Sequence, residues 1–115
     1  MLRYSEYDTV KQIGGIGVIL EVATLVVKSG EEAGFEATFR EASRYIREAT
    51  GYQSHELQRC LEVMSKYVLL VRWQTVEDHT ITFKGSADYQ KFRALIHPYY
   101  VNPPQAEHFE QVEGA

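Results

Sequence analysis

Residues 51–73, GYQSHELQRCLEVMSKYVLLVRW, decide the fold. Tyr67–Trp73 is apolar at nearly every position and reads as a strand. Upstream, YQSHELQRCLEV (52–63) is compatible with a strand that carries His55, Leu57, Arg59 and Leu61 on one face. The intervening MSK turns one into the other, and the stretch is a predicted β-hairpin.

Working outward, VILEVATLVV (18–27) is rich in β-branched residues and stops at Ser29-Gly30, which predicts a first strand. Ser29 and Glu32 have capping-box spacing, and Phe35, Phe39, Ala42, Ile46 and Ala49 then recur with helical period until Thr50-Gly51 ends the run. After the hairpin, one or two helical turns are predicted at 76–83. Ser86 then N-caps a second helix whose inward stripe is Tyr89, Phe92, Leu95, Ile96 and Tyr99, with Pro98, Pro103 and Pro104 forbidding its extension. AEHFEQV (106–112) supplies a last strand.

The order β-α-β-β-α-β is that of a ferredoxin-like α+β domain over residues 18–112, in which one antiparallel sheet carries both helices on one face. Residues 1–17 read as an N-terminal extension. Their glycine cluster, GGIG (14–17), precedes a strand instead of following one, which is the wrong context for a nucleotide-binding loop. Strands one and three lack the alternation of a sheet with one wet face, so the bare face is expected to pack against a second copy in a two-fold homodimer.

At 115 residues the chain has room for one core. A net charge of −4, with lysines and arginines scattered among acids, argues against a nucleic-acid partner. The first sixteen residues lack the apolar segment of a secretory signal, and the longest apolar run, interrupted by Glu21, is about half the ~20 residues of a spanning helix. No membrane association is expected. Cys60 is the single cysteine, which fits a reducing, cytoplasmic location.

The chemistry is sought in WQTVEDHTITFKGS (73–86), where Val76, His79 and Phe83 fall on one face of a helical turn that must lie over the strand end bearing Trp73. Here the sequence resembles the antibiotic biosynthesis monooxygenase family, the small dimeric α+β barrel proteins. The resemblance runs from about residue 18 to 112. It is carried by GYQSHEL, by YVLLVRW, by VEDHTITFKGS, by the helix DYQKFRALIHPYY and by the closing EHFEQV. Compared with quinone-forming members of that family, Trp73 and Arg93 match a pocket tryptophan and arginine, His79 stands in place of a tyrosine, and Leu69 in place of an asparagine.

The resemblance implies a homodimer acting on a small aromatic or quinol-like substrate with molecular oxygen and no cofactor. Such a protein need only bind an acidic phenol or anthrone dry, remove a proton and stabilise the oxyanion. On that reading His79 is the general base, Arg93 the oxyanion partner and Trp73 the ring platform. Phe83, Tyr89 and Phe92 form an apolar wall, and His55, His97 and His108 are second-tier substrate-binding candidates. Haem degradation, found on another branch of the fold, is not expected, because strand one lacks an asparagine and no second tryptophan is present. The four histidines do not form a ligand motif, so no metal is expected either. Each residue also has a plainer role open to it, His79 and Trp73 as core and Arg93 as a solvated side chain. A non-catalytic binding or stress-response module, or a cofactor-free isomerase or cyclase, are the alternative functions.

Overall fold

The computed structural model describes residues 19–115; the predicted N-terminal extension, with its glycine cluster, lies outside the described residues. Strand β1 (Ile19–Val26) is followed by helix α1 (Glu32–Arg47), strands β2 (Tyr52–Arg59) and β3 (Lys66–Trp73), a π-helical segment (Asp78–Phe83), helix α2 (Ala87–Ile96), a short 3-10 turn (His97–Tyr99) and strand β4 (Gln105–Phe109). The sheet order is β2-β3-β1-β4, and every neighbouring pair is antiparallel. This is the ferredoxin-like α+β arrangement predicted from the element order. In the single chain the sheet is open, so closure into a barrel is not a property of one protomer.

Side-chain parity places the core. Ile19, Glu21, Ala23 and Leu25 of β1 and Tyr67, Leu69, Val71 and Trp73 of β3 are buried. Apart from Ile19 and Glu21, they meet Phe35, Phe39, Ala42 and Ile46 of α1 and Phe92 and Ile96 of α2 in one cluster, so both helices cover the same face. The opposite parity, including Leu20, Val22, Val68 and Leu70, is only half buried.

Five local expectations change. Ser29 does not cap α1. The cap residue is Glu31, without a side-chain hydrogen bond, because a turn closed by Glu31 N–H to Lys28 C=O and left-handed Gly30 (φ 87°) carries Ser29 away. The Glu32 carboxylate accepts instead from the Ser65 hydroxyl. β2 ends at Arg59 and not at residue 63, since Cys60 N–H to Lys66 C=O (2.8 Å) closes a wider loop with Ser65 at φ 70°. Leu61 therefore sits in that loop, 90% exposed, and is not a strand residue. Leu95 is likewise outside the inward stripe of α2, and β4 is shorter than predicted. Ser86 does cap α2, accepting from Tyr89 N–H at 3.0 Å.

Candidate functional site

A cavity of about 80 Å3 lies between the sheet and α2, walled by Leu25, Leu69, Val71, Phe83, Phe92 and Ile96 and carrying a few polar groups from Glu21, His79, Lys84, Tyr89, His97 and Tyr100. Three elements converge on its polar end. β3 ends with Trp73, whose indole N–H donates to Glu21 Oε1 of the neighbouring β1 at 2.9 Å. The chain then re-enters helix through a reciprocal cap, Thr75 N–H to Asp78 Oδ2 and Asp78 N–H to Thr75 Oγ1, both 3.1 Å. The next turn, a π turn with Lys84 N–H on His79 C=O at 3.1 Å, lays the His79 ring flat over Trp73, centroids 5.3 Å apart and 18° between planes. Thr80, Ile81 and Thr82, β-branched residues that favour a regular α-turn less than most, occupy the widened turn.

His79 links two strands. Its Nε2 lies 3.4 Å from Glu21 Oε1, and its Nδ1 lies 2.8 Å from His108 Nε2 on β4, directly across from Glu21 in the sheet register. Either ring can donate in the His79–His108 contact, according to the tautomer, and Nε2 stands near the carboxyl group, so the three groups form a line His108–His79–Glu21. Burial drives both ends toward neutrality. Desolvation, only partly offset by the Trp73 hydrogen bond and by Lys84, raises Glu21 to about 7. Desolvation, then the charges of His108 and Lys84, lowers His79 to about 4. The pair is therefore not a salt bridge near neutral pH. His79 uses opposite ring nitrogens for its two partners, so the three groups form a line and not a cage. Among the described residues no cluster is placed to hold a metal ion.

The predicted residues divide. Trp73, His79, Phe83, Tyr89, Phe92 and His97 line the cavity, and His108 reaches it through His79. Arg93, expected as the oxyanion partner, is exposed on α2 and is not among the residues that line the cavity; its charge acts on His97. His55 faces α1, with Nδ1 2.8 Å from the Tyr52 hydroxyl and its ring beside Phe39, in a separate groove with Glu36 and Arg59. Trp73 also departs from its expected part: its N–H is taken by Glu21 and one face by His79, so it positions the carboxylate and offers no free indole donor. Sequence reasoning missed Glu21 and Lys84. Glu21 had a signal, a single carboxylate interrupting an apolar strand. Lys84 had none beyond its nearness to predicted site residues. Tyr100, which by residue type could either donate to a phenolic ligand or pack over the sheet, lines the cavity.

The polar line at the end of an apolar hollow gains its context from comparison with known proteins. The model of the antibiotic biosynthesis monooxygenase family matches residues 18–95. The chain belongs to that family. It is 45% identical over 95 residues to the uncharacterized protein YczJ of Bacillus subtilis (strain 168), spanning 83% of this chain and all of that protein. A Bordetella bronchiseptica structure assigned to the antibiotic biosynthesis monooxygenases superposes with a TM-score of 0.81 at 38% identity, covering 84% of this chain and 98% of the other. SnoaB, a cofactor-independent oxygenase from Streptomyces nogalater, shares the fold at a TM-score of 0.70 and 16% identity, over 84% of this chain and 97% of its own. Among the described residues no helix of this family member is long and apolar enough to cross a membrane.

Proposed function

We propose that the protein oxygenates a small, single-ring aromatic or quinol-like compound with molecular oxygen and without a cofactor, as a cytoplasmic homodimer. The observation that carries this reading is the Trp73–Glu21–His79 polar line at the end of an apolar cavity. A buried base of this kind removes an O–H proton, and the electron-rich anion then gives one electron to oxygen. Superoxide and the substrate radical combine at carbon, and the peroxide takes up a proton and loses water to leave a carbonyl. One oxygen atom stays in the product and the other leaves as water, so a phenol plus O2 balances a quinone plus H2O.

The fold shared with SnoaB, described as a cofactor-independent oxygenase, supports the reaction class. Size narrows the substrate. A cavity of about 80 Å3 is smaller than the ~150 Å3 apolar hollow that holds a benzene molecule, so even one ring needs Lys84 and His97 at the margin to give way. Several fused rings would not fit without opening the roof. The exposure of Arg93 favours a second reading, cofactor-free isomerisation, which needs the same base and no charged clamp on a reduced oxygen species.

An oxygen electrode with a panel of monocyclic hydroquinones and phenols tests the proposal. Uptake above the protein-free rate by at least one compound, lost in His79→Ala, is expected. Conversion without oxygen uptake would transfer the site to the isomerase class, and binding without conversion would make it a binding module.

A further inference from the structure

Glu21 is 6% exposed, yet only one of its oxygens is engaged. Oε1 accepts from Trp73 and faces His79, whereas Oε2 has no partner among the described residues, although the residue lines the cavity. A buried carboxylate oxygen left without a donor costs free energy, and a catalytic or ligand-binding role is one reason for a fold to keep it. A second polar atom is in the same condition. The Tyr100 hydroxyl is buried, lines the same cavity and has no hydrogen-bond partner among the described residues. Backbone pairing to β1 holds it there, through the Val27–Tyr100 bridge and Val101 N–H to Val26 C=O at 2.8 Å.

We propose that Glu21, through Oε2, is the catalytic base that takes the proton of a ligand hydroxyl in this cavity, with Trp73 and His79 as positioning residues on Oε1 and Tyr100 as donor to the ligand. The assignment rests on the oxygenation reading for the steps after proton transfer, but not for the transfer itself. The ligand O–H bond breaks, the Oε2–H bond forms, and the electron pair stays on the ligand oxygen. No oxidant takes part in this step. The exposed ammonium of Lys84, whose charge acts on Glu21, His79, His97 and His108, stands at the margin to balance the anion that forms. The ligand class is a neutral hydroxyl-bearing ring. An aromatic carboxylate would set a second anion against Glu21 in a desolvated space.

Basicity supports the geometry. With Glu21 at about 7 and His79 at about 4, transfer from a phenol of pKa roughly 10 is uphill by about 10³ in equilibrium constant to the carboxylate and by about 10⁶ to the imidazole. The groups that face Glu21 are Trp73 from β3, His79 from the π turn, Lys84 after it and His108 from β4. Tyr89, His97 and Tyr100 share the cavity, and α1 presents only the apolar Ile46.

The test compares wild type, Glu21→Gln and Trp73→Phe in two assays. In oxygen uptake with the best hydroquinone of the panel, Glu21→Gln should lower kcat/KM by about 10²- to 10⁴-fold and abolish the acid limb of the pH profile near 7. Trp73→Phe removes a donor to the ionised carboxylate and should move that limb to higher pH, which a merely structural change would not do. Anaerobic calorimetry with phenol as the probe needs no turnover. Binding to wild type should tighten severalfold between pH 6 and 8, and binding to Glu21→Gln should not change. Phenol binding that is equal in the two proteins at both pH values, or absent from both, overturns the assignment. If the pH-linked binding persists while no compound draws down oxygen, the base stands and the oxygenase reading falls.

Discussion

Burying one carboxylate among Ala23, Leu69 and Val71 costs stability, and the pH at which that cost falls due is set by its neighbours. Glu21 is raised from 4.5 to about 7, so folding favours its protonated form. Its contribution is fully present below pH 4.5 and is lost as pH rises through 7, a change of roughly 3 kcal/mol. His79 behaves oppositely. It is lowered from 6.5 to about 4, so its contribution is present above pH 6.5 and is lost as pH falls through 4. The two slopes nearly cancel between about pH 4.5 and 6.5, which predicts a stability plateau there. Glu21→Gln keeps the size and the acceptor for Trp73 but cannot ionise. Thermal unfolding should show the variant more stable than wild type by about 1 to 3 kcal/mol at pH 8, the gain vanishing by pH 4.5, where Glu21 itself is protonated. Equal stability of the two proteins at pH 8 would mean that the buried carboxylate is far better solvated than its surroundings allow. The position of this residue in VILEVATLVV was legible in the sequence as an interruption. Its meaning was not, because strand parity shows which side is buried only after the register to β3 and β4 is known.

At the scale of elements, the helical stripes of α1 and α2 were legible because four of five and two of five marked positions, respectively, bury fully at helical spacing. The π turn was not, since Val76, His79 and Phe83 satisfy α-helical spacing as well, and only the backbone bond from Lys84 to His79 shows the extra residue in the turn. Capping boxes show a similar limit. Ser29-x-x-Glu32 and Thr75-x-x-Asp78 carry closely similar signatures, yet only the second closes, because Gly30 turns the chain before the first can. The working cap depends on Gly51. It sits at φ 82°, and a methyl group there would overlap the Asp78 carboxylate. Gly51→Ala should therefore cost about 1 to 3 kcal/mol from backbone strain alone. It should also loosen the turn that carries His79, seen as a weakened ring-current shift of the His79 imidazole over Trp73 in proton spectra. An unmoved His79 resonance would separate the cap from the site. Gly85 has a related part: a Cβ there would come within 2.8 Å of Ile81 C=O, so the exit of the π turn tolerates nothing larger.

For the whole molecule, the question is what covers the second face of the sheet. Leu20, Val22, Val68 and Leu70 are half buried on it, Val26 and Phe109 are 42% and 48% exposed, and Val22 lies directly opposite Leu70. Leaving such side chains partly in water forgoes a share of the ~1.5 to 3 kcal/mol that full burial of each would contribute. The same face of a second copy is self-complementary, because a two-fold axis sets apolar positions on apolar positions. Leu70→Lys tests this without damaging the protomer, since Glu56 stands directly across from residue 70 on β2 and can pair with the new ammonium within one chain. Light scattering at micromolar concentration should give the mass of two chains for wild type and of one for Leu70→Lys, with unchanged far-ultraviolet dichroism. The cavity opens on the opposite side of the sheet, so phenol binding per chain should survive the loss of the dimer. Its disappearance would mean that the second protomer shapes the site, and a monomeric wild type would leave this apolar face to another partner.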